Sequence, residues 1–275
     1  MHSEIKTLQL NEPFRIAHGT STTRQVLRVS DGTHVAEAPF VPYYGEDPAQ
    51  TLAILNQDVL PEKLPRTAAL ALNLLRHDII GHATGQKLSA HALAKLGPSN
   101  RAAPHGCRSF SIADDLDLFA DKIRDISQQF HVLKLKLGSG DLGLDLATVS
   151  VARSAAPEAA LILDVNGGWG MHEAALMIEK LAGYSPALIE QPIHHRHGIE
   201  AWEELRASIP GNSPPLFADE SVQTADDVPA LAPFIDGVNI KLLKCGSFDA
   251  AVAMIATARE HSLQILLGCM IETSL

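Results

Sequence analysis

Five short segments of this chain carry ionisable side chains where an apolar run gives out: Lys134-Leu135-Lys136, Asp164-Val165-Asn166, Glu190-Gln191-Pro192, Asp219-Glu220-Ser221 and Ile240-Lys241. In the run Val-Leu-Lys-Leu-Lys-Leu at residues 132–137, strand periodicity sends both lysines to one face and the leucines to the other. The carboxylates Asp164, Glu190 and Asp219 close three consecutive apolar runs. Carboxylates gathered this way suit a hard cation with oxygen ligands, and Mg2+ is favoured over thiolate- or imidazole-seeking metals.

Such a set answers one demanding reaction, removal of the proton on the α-carbon of a carboxylate. The resulting enediolate concentrates negative charge on two oxygens, and a divalent cation there stabilises it as it develops. A lysine of ordinary pKa, about 10.4, is a poor base at neutral pH, and a neighbouring ammonium disfavours its charged form. Lys134 beside Lys136 supplies that neighbour. Two ambiguities remain at this level. Asp219 and Glu220 point to opposite faces of a regular strand, so only one of them is a direct ligand. Lys241 and Lys244 differ in parity, which puts one inside and the other in the following loop.

The elements that must position these residues are legible too. Strand-like runs at 109–113, 132–137, 161–165, 187–190, 215–218, 237–243 and 264–267 alternate with helix-like runs at 116–130, 142–155, 171–181 and 248–261. That alternation predicts parallel βαβ units, and the reactive residues recur about one unit apart at successive strand ends. In a TIM barrel such residues converge on the C-terminal rim, where catalysis sits. The first hundred or so residues read instead as α+β, with strands at 4–10, 24–30 and 34–38, a tight turn at Asp31-Gly32, and helices at 48–60 and 68–82. A Pro/Gly-rich stretch at 97–106 reads as the linker. The expected architecture is α/β, an α+β capping domain at 1–104 followed by a modified TIM (β/α) barrel at 105–275.

The formal net charge of −10 and the lack of a Lys/Arg stripe argue against nucleic acid and anionic membranes as partners. The first ten residues lack the basic and apolar regions of a signal peptide, and no apolar run nears the roughly 20 residues needed to span a bilayer, so a cytoplasmic protein is expected. Cys107, Cys245 and Cys269 are too scattered for a disulfide framework and read as free thiols. The histidines of His194-His195-Arg196-His197 read as fortuitous loop residues.

The five segments, in their order and spacing, resemble the muconate-lactonizing subgroup of the enolase superfamily. Residues 13–19, 42–46 and 268–273 are similar to the dipeptide epimerases within it, the L-Ala-D/L-Glu epimerases among them. The resemblance implies Mg2+ ligation by Asp164, Glu190 and Asp219, an acid/base pair of Lys136 and Lys241 on the two faces of the α-carbon, and Lys134 neutralising the substrate carboxylate. It implies a dipeptide or other small carboxylate as substrate. Arg24, Tyr44, Ser111, Asn166, Met270 and Glu272 are the expected substrate contacts, with loops around 16–25 and 42–46 closing over the site. Cycloisomerases and o-succinylbenzoate synthase-like dehydratases of the same subgroup share the metal and lysines, so those reactions, and an inactive remnant, stay open. The residues after the linker suffice for seven βα units, so the barrel is expected to be incomplete. The eighth strand and the Asp-x-Asp motif with which dipeptide epimerases hold the substrate's α-ammonium are missing, as in a C-terminally truncated enzyme. The full-length form is expected to be a homo-oligomer.

Overall fold

The computed structural model describes residues 1–97 and 104–273; most of the expected linker lies outside them. The chain opens with an antiparallel sheet in the order β1 (His2–Ile16), β2 (Gly19–Ser30), β3 (Val35–Pro39). β1 and β2 pair up to Ile16 opposite Gly19, so most of the segment expected as a loop around 16–25 is strand. At the next turn the Asp31 carboxylate accepts from the backbone N–H of Thr33 and His34, which ties the hairpin locally.

Helix α1 (Pro48–Leu55) starts where Asp47 caps the Gln50 N–H, and stops short of residue 60. Pro61 disfavours helical backbone at Leu60. Helix α2 (Arg66–Thr84) lays Ala68, Leu70, Ala71 and Leu75 on Leu27, Val29, Ala36 and Ala38 of the sheet, and α3 (Leu88–Leu96) follows.

The rest alternates as the spacing predicts. The order is β4 (Cys107–Phe110), α4 (Leu116–Ile126), β5 (Val132–Lys136), α5 (Leu142–Ala155), β6 (Ala160–Asp164), α6 (Met171–Ala182), β7 (Leu188–Glu190), α7 (Gly198–Ser208), β8 (Leu216–Ala218), α8 (Val228–Leu231), β9 (Gly237–Ile240), α9 (Leu242–Cys245), α10 (Phe248–Glu260) and β10 (Gln264–Leu267). Strands β4 to β10 form one parallel seven-stranded sheet in sequence order, an incomplete barrel.

Period-two alternation sorts each strand. Leu133, Leu135, Leu161, Leu163, Ile189, Leu216, Val238 and Ile240 pack with Ile123, Val149, Met177, Trp202 and Met254 of the helices. The opposite parity makes the inner face, where Ile162, Leu188 and Phe217 form a small apolar floor. Gly237 is required there, because a Cβ would lie 2.3 Å from the Phe217 ring. One residue pair further along each strand comes the ionisable set. Among the described residues no helix is long and apolar enough to cross a membrane.

Candidate active site

Lys136, Asp164 and Glu190 are the last residues of β5, β6 and β7 and pair in register, Lys136 with Asp164 and Asp164 with Glu190. Asp219 and Lys241 directly follow β8 and β9. All five are buried, and one carboxylate oxygen each from Asp164, Glu190 and Asp219 lies within 4.8 Å of the others.

Each carboxylate has one oxygen facing Lys134, Lys136 or Lys241 and the other held by a different neighbour. Asp164 Oδ1 accepts the Asn166 N–H at 3.2 Å, Glu190 Oε1 accepts Asn239 Nδ2 at 2.6 Å, and Asp219 Oδ1 accepts Lys244 Nζ at 2.6 Å. The second oxygens face the cationic side chains. Lys134 Nζ lies 2.7 Å from both Asp164 Oδ2 and Glu190 Oε2, Lys136 Nζ 2.6 Å from Asp164 Oδ2, and Lys241 Nζ 2.6 Å from Asp219 Oδ2. Three anionic oxygen donors so close together, with no thiolate or imidazole among them, fit a hard divalent cation.

The electrostatics follow from burial and this pairing. Burial alone would lower the Lys134 and Lys241 pKa values, but the carboxylates outweigh it: Asp164 and Glu190 hold Lys134 above the ordinary lysine range, and Asp219 and Glu220 do the same for Lys241. Burial would raise Asp164 and Asp219, yet Lys134 and Lys136 bring Asp164 down to about 2, and Lys241 and Lys244 hold Asp219 well below its usual range. Glu190 goes the other way, raised by burial and by Asp164.

The inside-or-outside premise of both parity arguments does not hold here, for one reason. β8 ends at Ala218 and β9 at Ile240, so strand alternation no longer applies to the residues beyond them. Asp219 and Glu220 sit in a bend and both turn inward. Glu220 Oε1 accepts Asn166 Nδ2 at 3.0 Å, while burial and the Asp219 charge push its carboxyl up to about 7. Lys241 and Lys244 span the helical turn α9, where residues three apart share a side. Lys244 is fully buried and donates to the carbonyls of Asp219, Val222 and Asn239 as well as to Asp219 Oδ1.

The expected substrate contacts scatter more widely. Asn166 is buried at φ 50°, with Oδ1 accepting Lys136 Nζ at 2.9 Å, so it bridges Lys136 and Glu220. The Arg24 guanidinium is buried and donates to Phe40 O and Ser21 Oγ. Tyr44 lies under the Arg66 guanidinium, 4.9 Å from ring centre to Cζ. Ser111, just past β4, bonds Ile112 O at 3.5 Å. Met270 Sδ is 4.0 Å from the Tyr43 hydroxyl, and the Met270 N–H donates to Glu272 Oε1.

Sequence reasoning passed over Asn239, and took His18 and Tyr43 only as members of the loops around 16–25 and 42–46. Asn239 shares strand parity with Lys241, which was the available signal. Tyr43 lies within electrostatic reach of Lys241 and Asp219, and His18 within reach of Lys136 and Asp164. The His18 ring lies 5.0 Å from Tyr43 and 6.1 Å from His194, so the histidine loop meets the N-terminal unit beside the site.

Residues 118–275 match the family described as enolase C-terminal domain-like. An L-Ala-D/L-amino acid epimerase from Pedosphaera parvula is 37% identical over 213 residues, 76% of this chain and 57% of that protein. An L-Ala-D/L-Glu epimerase from Bacteroides thetaiotaomicron is 30% identical over 97% of this chain and 72% of its own length. Among solved structures, an enolase family member from Agrobacterium tumefaciens with homology to dipeptide epimerases, holding sodium and L-Ala-L-Glu, aligns with a TM-score of 0.82 at 27% identity. That alignment covers 99% of this chain and 84% of the other. The chain belongs to the enolase superfamily, in its enolase C-terminal domain-like family. It spans little more than half the length of the first of these relatives.

Proposed function

We propose that this site epimerises a dipeptide by taking a proton from the α-carbon of a carboxylate and returning one to the opposite face, with Mg2+ held by Asp164, Glu190 and Asp219. The observation that carries the reading is the placement of two lysines about the carboxylate set. Lys136 and Lys241 come from β5 and the end of β9, with β6, β7 and β8 between them, and each is bonded to a different carboxylate. When bound, the cation would compete for the carboxylate charge of Asp219 that now holds the Lys241 ammonium above the usual lysine range, and would stabilise negative charge on the substrate oxygens.

The chain's own groups do the rest. Lys134 neutralises the substrate carboxylate. Lys136 removes or returns the proton on one face, its Nζ aimed by Asn166, and Lys241 serves the other. Tyr43, His18 and Met270 wall the approach from the N-terminal unit and the last segment. A dipeptide is favoured over other carboxylates because the L-Ala-D/L-Glu epimerase and the enolase family member with homology to dipeptide epimerases match across both sheets. A cytoplasmic location and a homo-oligomer belong to the same proposal.

The test is solvent exchange. With Mg2+ and a panel of Ala-containing dipeptides in D2O, both α-carbon epimers should gain deuterium, and chelation with EDTA should stop it. Exchange that ignores EDTA, or none in either epimer of any dipeptide with saturating Mg2+, sinks the proposal.

A further inference from the structure

Away from the carboxylate set, three helices bring a different donor set together. His77 on α2, His91 on α3 and Asp249 at the start of α10 each offer a ligand atom within 4.8 Å of the other two. His77 Nε2 lies 3.0 Å from Asp249 Oδ2, and His91 Nε2 lies 2.8 Å from Asp249 Oδ1. The arrangement is braced. Asn73, one turn before His77 on the same side of α2, donates from Nδ2 to Asp249 Oδ2 at 3.2 Å and accepts the Phe248 N–H on Oδ1 at 2.9 Å. The Phe248 ring packs at 5.5 Å from the His77 ring and 6.2 Å from the His91 ring, so both imidazoles are oriented by an aromatic neighbour.

We infer that His77, His91 and Asp249 form a second metal site, for a borderline ion of the Zn2+ class, that ties α2 and α3 to α10. The inference is independent of the reaction proposed above. Two imidazole nitrogens and one carboxylate oxygen are a common zinc set, with a further position left for water. The oxygen-only catalytic set prefers a harder ion, so the chemistry of the donors sorts the two metals. Side-chain exposures of 14%, 40% and 39% for His77, His91 and Asp249 leave an ion a path in from solvent. The imidazole tautomer that carries its proton on Nδ1 offers the Nε2 lone pair to the ion. The Lys95 ammonium, 3.6 Å from Asp249 Oδ1 and 53% exposed, is the group displaced, and its flexible stem lets it swing into water.

A nearby set, His34, Asp78 and His82, is less well made. His82 is 3.7 Å from Asp78, and His34 is already bonded to Asp31 at 3.0 Å. It serves as the control.

Untagged full chain, saturated with Mg2+ near pH 7.5, is titrated with Zn2+ by calorimetry, and with Co2+ by visible absorption to read imidazole coordination. The expected result is one Zn2+ per chain, bound on the order of tenfold or more weakly in His91→Ala and in Asn73→Ala, and unchanged in His82→Ala and Asp164→Asn. Within each folded variant the Zn2+-induced rise in melting temperature should follow the same order, which separates metal binding from a general loss of stability. No Zn2+ uptake, uptake that survives His91→Ala, or uptake that disappears with Asp164→Asn overturns the assignment.

Discussion

Lys241→Met removes one ammonium from the site while keeping a side chain of similar length. Lys241 Nζ is bonded at 2.6 Å to Asp219 Oδ2, and Asp219 Oδ1 keeps its own 2.6 Å bond to Lys244. Breaking a buried ion pair outright costs about 3–5 kcal/mol because a charge is left unpaired. Here Asp219 retains Lys244, so the expected loss is about 1–3 kcal/mol, and the variant should fold. The catalytic loss is larger and directional. Deleting a general acid/base group costs about 100- to 10,000-fold, equivalent to about 3–5 kcal/mol of barrier. Lys136 and its bonds to Asp164 and Asn166 are untouched, so the epimer whose α-proton faces Lys136 should still exchange with solvent. The other epimer should not. Loss of the α-proton NMR signal in D2O, followed from each pure epimer with Mg2+ present, reads this directly, and calorimetry checks that Mg2+ still binds. If Lys241→Met and Lys136→Met silence the same epimer, or if both epimers still exchange at the wild-type rate, the two-base reasoning is wrong.

Three further outcomes are expected. Lys244→Ala strands the buried Asp219 Oδ1 and three carbonyls, and should cost about 3–5 kcal/mol in urea unfolding; a loss below about 1 kcal/mol would remove Lys244 from its anchoring role. Asn166→Ala breaks the link from Lys136 to Glu220 and should slow exchange of the Lys136-facing epimer by about 10- to 150-fold, from about 1.5–3 kcal/mol for a hydrogen bond to a charged group; equal slowing of both epimers contradicts it. The Glu220 carboxyl, raised from 4.5 to about 7, keeps its proton longer in the folded protein than in the unfolded chain. Metal-free protein should therefore lose stability as pH rises from about 4.5 to about 7, and Glu220→Gln should flatten that slope in melting-temperature profiles. An unchanged slope in the glutamine variant would show that another group is responsible.

Much of the barrel and its polar rim is legible in the chain because strand alternation is a local rule. Leucine at one parity and lysine at the other in residues 132–137 leaves one solution once helices cover the outside, and the same rule brings Asp164 and Glu190 to the inner face. The reading broke where the local rule stops applying. Residues 16–25 carry no strong loop or strand signal of their own, and it is pairing with β1 that makes most of them strand.

The order of reactive types along the chain, and the side of each strand they occupy, were written in the sequence, since both depend on neighbours one or two residues away. Tertiary structure alone decided that Glu220 and Lys244 join Asp219 and Lys241 in the interior, because a bend after β8 and a helical turn after β9 replace the strand geometry. It alone brought His77 and His91 together with Asp249 from the distant α10, because such contacts come from the packing of α2 and α3 against α10 and leave no periodic trace.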